Sequence, residues 1–175
     1  MELLAVTAIL AIVLSATAAV GRGRLDHERA RAAAHYLAGR LAAARALAVH
    51  RAANVALRLD GSGPAVSLAL FEDGNGNGVR RLDIAAGIDP QVAPPVVLGD
   101  RFPGVVISET DPTVPGAAAR AEAGLFSFTP HGTATSGSLY LSGASGDAWA
   151  VRVLGATARV RVLRYAPRDG AWVGD

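Results

Sequence analysis

The chain has 175 residues, a formal net charge of +2, no cysteine, and 17 basic residues that are all arginine. That length suits one domain with an appended helix. The charge is too small to imply a nucleic-acid partner by itself, and the missing cysteine excludes a disulfide framework and thiolate metal sites. The apolar fraction of 51% is largely alanine, and the Ala/Arg bias reads chiefly as coding composition.

The first element is Met1 to Val20, in which Glu2 heads an uncharged run that lasts until Arg22. At about 1.5 Å per residue that run makes a helix of about 27 Å, close to the hydrocarbon thickness of a bilayer. A lone ionisable group at such a place usually has a partner and a function; the plain alternative is that Glu2 reaches the headgroup region. Two other readings compete. Ala16-Thr17-Ala18 resembles a signal-peptide cleavage site, although the segment begins with an acid where a basic region is wanted. In an ordinary anchor, Arg22 and Arg24 would hold the following part on the cytoplasmic side.

Gly21-Arg22-Gly23-Arg24 is a soft joint, because glycine weakens a helix interior by about 1 kcal/mol. From Leu25 to about residue 53 the period is helical. Leu37, Leu41, Ala44 and Leu47/Ala48 recur at three and four residues, with Tyr36 bordering them. Such a stripe predicts a face that packs on a sheet. After Asn54 the period becomes two: Val55, Leu57 and Leu59, then Val66, Leu68 and Leu70, flank the turn-forming Asp60-Gly61-Ser62-Gly63-Pro64 and predict a hairpin. All 9 prolines and most of the 20 glycines lie beyond residue 60. Val96-Val97-Leu98 and Val105-Val106-Ile107 are expected as short strands. Residues 109–124 are expected as an exposed loop, with Ala117–Ala123 as a possible helical turn. Leu125-Phe128, Ser138-Leu141, Ala148-Leu154 and Ala158-Tyr165 predict further strands in a meander, with Leu139/Leu141, Trp149/Val151/Val153 and Val160/Val162 facing the core. The expected fold class is α+β: a long helix on an antiparallel sheet or small sandwich, divided into 1–21, 22–54 and 55–175.

Three groups of residues bear on chemistry. Asp73-Gly74-Asn75-Gly76-Asn77-Gly78 carries oxygen side chains at positions 1, 3 and 5 and glycine at 6, as a calcium loop does. The second half departs from that pattern, with Arg81 at position 9 and Ile84 at position 12. Asn-Gly repeats are turn formers in their own right, so a turn is the expectation and Ca2+ the alternative; no other cofactor is implied. In Ala158-Arg159-Val160-Arg161-Val162, alternation puts Arg159 and Arg161 on one face, with Arg164 and Arg168 nearby. These arginines could contact phosphates of DNA, and a solvated face explains them as well. No catalytic constellation is present: Gly-x-Ser-x-Gly and a P-loop are missing, and His27-Glu28-Arg29-Ala30-Arg31 lacks the second histidine of a zincin helix. His27 and His35, two turns apart on one helix face, are expected to be solvated. The chain is therefore expected not to be an enzyme.

Glu2-Leu3-Leu4-Ala5-Val6-Thr7-Ala8-Ile9-Leu10-Ala11-Ile12 followed by an amphipathic helix and a β domain resembles the type IV pilin-like proteins, most closely the GspH/FimT pseudopilins. Phe71-Glu72-Asp73-Gly74-Asn75-Gly76-Asn77-Gly78 and Thr157-Ala158-Arg159-Val160-Arg161 match family patterns too. Glu2 falls on the family's invariant glutamate, while the basic leader, its glycine and the Phe-Thr-Leu that follows are missing, as a late start would explain. The resemblance implies a structural subunit of a type II secretion pseudopilus or type IV pilus. It also implies an inner-membrane helix, a periplasmic β domain, and other pilins or pseudopilins and an inner-membrane assembly platform as partners. Glu2 would pair with a neighbouring subunit's N-terminal amine and so set axial register. A DNA-capturing minor pilin using the C-terminal arginines is the second expectation, with Ala158 where that pattern has glycine. A secreted or anchored β domain with no filament role is the third.

Overall fold

In the computed structural model, residues 2–61, 63, 65–113, 124–144 and 146–175 are described; the side chains of 2–5, 8, 9 and 11–23 are not among the described parts. One helix, α1 (Glu2–Arg51), runs without interruption through the glycine-bearing joint. It ends where Ala52 takes a positive φ of 52°, and the chain turns into the β half at Val55. Among the described residues no helix is long and apolar enough to cross a membrane.

The strands form two antiparallel sheets. The first has the order β3–β2–β1–β5, from β1 (Val55–Asp60), β2 (Ser67–Glu72), β3 (Gln91–Val97) and β5 (Leu125–Phe128). The second has the order β4–β6–β7–β8–β9, from β4 (Val106–Ser108), β6 (Gly137–Ser142), β7 (Ala148–Leu154), β8 (Arg159–Ala166) and β9 (Ala171–Gly174). The predicted hairpin β1–β2 is present, with Leu57 opposite Leu70. Two short helices, α2 (Arg81–Ala85) and α3 (Leu98–Arg101), lie in the connections. The α+β class is as expected, a long helix laid on antiparallel sheets.

Helix α1 lies across both sheets and touches β1, β5, β6, β7 and β8. Its contact stripe is the expected one extended toward the N-terminus: Ala30, Ala33, Ala34, Leu37, Leu41, Ala44 and Ala48 are fully buried. Five of these seven are alanines, so the backbone sits close to the sheets. Gly143, in the β6–β7 turn, makes the same demand, since a Cβ there would stand 3.0 Å from the Asp26 carbonyl oxygen. The predicted inward residues Leu139, Leu141, Trp149, Val151 and Val153 join this core, with Val160 and Val162 packed against it.

Several expectations need correction. The β strands do not make one meander: β5 returns to pair with β1, Val55 opposite Phe128, so the sheets interleave in sequence. Leu98 opens α3 instead of ending a strand, and the prolines of Gln91–Val97 lie within an edge strand, where a missing N–H costs least. β9 was not expected. The second face of β1 and β2 is covered as well: Ala56, Ala69 and Phe71 are buried by residues 73–90, which fold back over that face with Val79 and Ile84 as a second small core. The possible helical turn Ala117–Ala123 lies outside the described residues.

Candidate functional site

Three surfaces follow from this frame: the helix seam, the 73–90 loop and the outer face of the second sheet. On the seam, Glu2 belongs to α1 and its side chain is outside the described parts. Further along, the histidines expected to be solvated are paired. His27 Nδ1 stands 3.1 Å from an Asp147 carboxylate oxygen, and its ring centroid is 5.7 Å from that of Trp149. Asp175 Oδ2 accepts from Arg31 Nε at 3.2 Å and lies 2.8 Å from His35 Nε2. The His35 hydrogen bond first, with Arg31 adding to it, holds the Asp175 carboxyl below its ordinary range. Arg51 pairs with Glu72 at the other end of the helix. Exposed ion pairs of this kind each contribute at most about 1 kcal/mol, so the seam rests on apolar burial and the pairs fix its register. The partners at Asp147 and Asp175 sit more than a hundred residues from their helix residues in the chain, and no local motif could have signalled them.

The 73–90 loop is organised by two carboxylates. Asp73 Oδ1 accepts from the backbone N–H of Gly76 at 2.8 Å and of Asn75 at 3.2 Å. Its Oδ2 accepts from Gly78 N–H and from Asn54 Nδ2, both at 2.8 Å. Burial pushes the Asp73 carboxyl up, and these four hydrogen bonds outweigh it, leaving the group below its ordinary range. Asp89, 1% exposed, accepts from Gly74 N–H at 3.0 Å and from Arg80 N–H at 2.9 Å. Gly74 is where backbone meets backbone: a Cβ on it would lie 1.9 Å from the Ile88 carbonyl oxygen. Asn75 and Asn77 are exposed, and the Asn75 side-chain oxygen accepts from Asn77 N–H at 3.2 Å. The side-chain oxygens of Asp73, Asp89 and Asn75 all accept from N–H groups. Among the described residues no group of three or more His, Asp or Glu side chains is placed to hold a metal. The sequence showed Asp73; Asp89 carried no signal because its role depends on the chain returning to Gly74.

On the second sheet, register separates the arginines that proximity in sequence had grouped. Arg161 stands opposite Arg152, and Arg159 opposite Leu154. Alternation therefore puts Arg152, Arg159 and Arg161 on the outer face. Arg152 Nε donates to Ser138 Oγ at 3.2 Å, so one row across three strands reads Ser138, Arg152, Arg161. Like charges directly opposite each other are unfavourable. Arg164 instead pairs with Trp149 and Val173, which places it on the other face, toward the helix. Arg152 is the member of the outer group that sequence reading missed. Beyond this row the outer face carries Tyr140, Tyr165 and Trp172, with the Trp172 ring 5.5 Å from Tyr140 and 5.3 Å from Tyr165. Small residues of β7 open the space they fill: Ala148 and Ala150 are buried beneath them. Trp172 Nε1 donates to Asp111 Oδ2 at 3.2 Å.

A long N-terminal helix seated on antiparallel sheets, with its first half carried beyond them, defines a pilin-like subunit. Residues 33–158 match the family described as Type II transport protein GspH, and the chain belongs to that family. Its fold is similar to that of the minor pseudopilin EpsH from the type 2 secretion system of Vibrio cholerae. The TM-score is 0.52 at 14% identity, over 78% of this chain and 97% of that one. No curated protein sequence matches.

Proposed function

We propose that the chain is a minor pseudopilin: a non-enzymatic subunit of a type II secretion pseudopilus that joins other pseudopilins through its N-terminal helix. The observation that carries this reading is the family match over residues 33–158, together with a helix that continues, as Glu2–Arg51, well past the sheets it covers. The uncharged run after Glu2 holds the subunit in the inner membrane, with the β domain on the periplasmic side. Assembly draws such subunits from the membrane through an inner-membrane platform. Glu2 pairs with the N-terminal amine of a neighbour, because either charge alone in hydrocarbon costs several kcal/mol and docking lowers that cost. The test is Glu2→Ala, measured by recovery of the chain in sheared filaments: loss from the filament at unchanged membrane level is expected. Undiminished incorporation would overturn the role of Glu2.

A second reading, a DNA-contacting minor pilin, has the shared outer face of Arg152, Arg159 and Arg161 in its favour. Duplex binding measured across a salt series would show a steep slope, reduced by about one unit for each phosphate-contacting arginine removed. If Arg159→Ala/Arg161→Ala leaves binding and slope unchanged, this reading is lost.

A further inference from the structure

The β8–β9 hairpin stands at a definite height along α1. Val173 is opposite Arg164, which is opposite Trp149, whose ring meets His27. Two residues onward, Asp175 meets Arg31 and His35. At about 3.3 Å per strand residue and about 1.5 Å per helix residue, two strand residues match about four helix residues, so the two elements run nearly side by side. Continued backward, the same scale puts Ala171 beside about residue 23. The turn at Arg168 and Asp169 then lies near residue 20, where the uncharged run ends. The hairpin tip, residues 167–170, is exposed. Arg164, Arg168 and the helix residue Arg24 are exposed at this end. Of the acids at this end, Asp26 pairs with Arg29 and Asp147 with His27, while Glu28 and the tip residue Asp169 are exposed, so the three arginines outnumber the exposed acids by one. Tyr165 and Trp172, the residue types that favour a membrane–water boundary, form the pair next to the tip.

We propose that the β8–β9 hairpin tip is a membrane-surface foot. Arg164 and Arg168 contact the phosphates of anionic phospholipids in the leaflet from which α1 emerges, and hold the β domain upright on the bilayer before assembly. This rests on the membrane-anchored reading above. Arginine is suited to the contact because its fork matches phosphate oxygens, and a basic residue near an anionic surface favours the docked state about fivefold.

The experiment uses the full chain in vesicles of phosphatidylcholine, with and without phosphatidylglycerol, each carrying a nitroxide on a fraction of the headgroups. Trp172 is the reporter, since Trp149, the other tryptophan, is buried in the core; a Trp172→Phe chain supplies the background. Flotation with the vesicles is scored first, and a chain that does not float refutes the anchored reading and this proposal together. For floating protein, quenching of Trp172 above background in anionic vesicles is expected. It should fall at least severalfold in neutral vesicles and in Arg164→Glu/Arg168→Glu, and stay unchanged in Arg159→Glu/Arg161→Glu, which carries the same charge change at the far end of β8. Floating protein with Trp172 at background, or quenching equal in the two double variants, overturns the foot and leaves the anchor standing.

Discussion

Replacing Asp73 by alanine would test whether the 73–90 loop is held by its own carboxylate. The substitution removes the acceptor of four hydrogen bonds. The N–H groups of Asn75 and Gly76 are exposed, so water replaces Asp73 there at little cost. Gly78 N–H and the Asn54 amide are part-buried, and each buried donor left unmatched costs about 1–3 kcal/mol. Allowing for partial water access, a loss of about 3 kcal/mol follows, or a fall in Tm of roughly 6–12 °C for a domain of this size. The assay is thermal unfolding of the full chain in micelles by circular dichroism, with and without calcium. Asp73→Asn, which keeps an acceptor but not the charge, should fall between. A Tm within about 2 °C of wild type would refute the loop argument. A calcium-dependent rise in wild type that disappears in Asp73→Ala would instead make the carboxylate a cation ligand.

Gly74→Ala should be worse than Gly76→Ala although the same loop is changed. The first drives a Cβ into the Ile88 carbonyl, while the second meets open space at a φ of 79°. Losses of at least about 3 kcal/mol against about 1–2 kcal/mol are expected in urea unfolding. The pH profile of Tm has a definite sign. The Asp73, Asp111 and Asp175 carboxyls all lie below their ordinary range in the folded chain. For Asp111, burial is outweighed by hydrogen bonds from Thr113, Trp172 and Tyr140. Stability from such groups is present above the unfolded pKa and lost as pH falls through the folded one. Tm should therefore hold down to about pH 5 and drop steeply below about pH 4; a Tm that does not fall between about pH 5 and about pH 3 would refute this assignment.

The helix was legible because Leu37, Leu41, Ala44 and Ala48 repeat at the helical period, and burial follows that period without exception. The strands near the C-terminus were legible for the same reason at period two. What could not be read were decisions made by distant partners. Nothing local tells β5 to join β1, and Asp89 looks like any loop acid until Gly74 is set beside it. Arg152, Arg159 and Arg161 share one face only when the register of β7 and β8 is known, and the same register sends Arg164 to the other side. Ala148 and Ala150 read as weak strand residues, yet their smallness is what admits Trp172 and Tyr140.

The alanine seam of α1 has a mechanical consequence. Only Leu37 and Leu41 project deeply among the fully buried residues of that stripe, so lengthwise sliding is resisted by two pegs and by the side ties at Asp147, Asp175 and Glu72. A pull on the N-terminal end of the helix is then shared in shear along the whole contact and never concentrated on one strand. Such a subunit can be hauled by its tail with its head still folded.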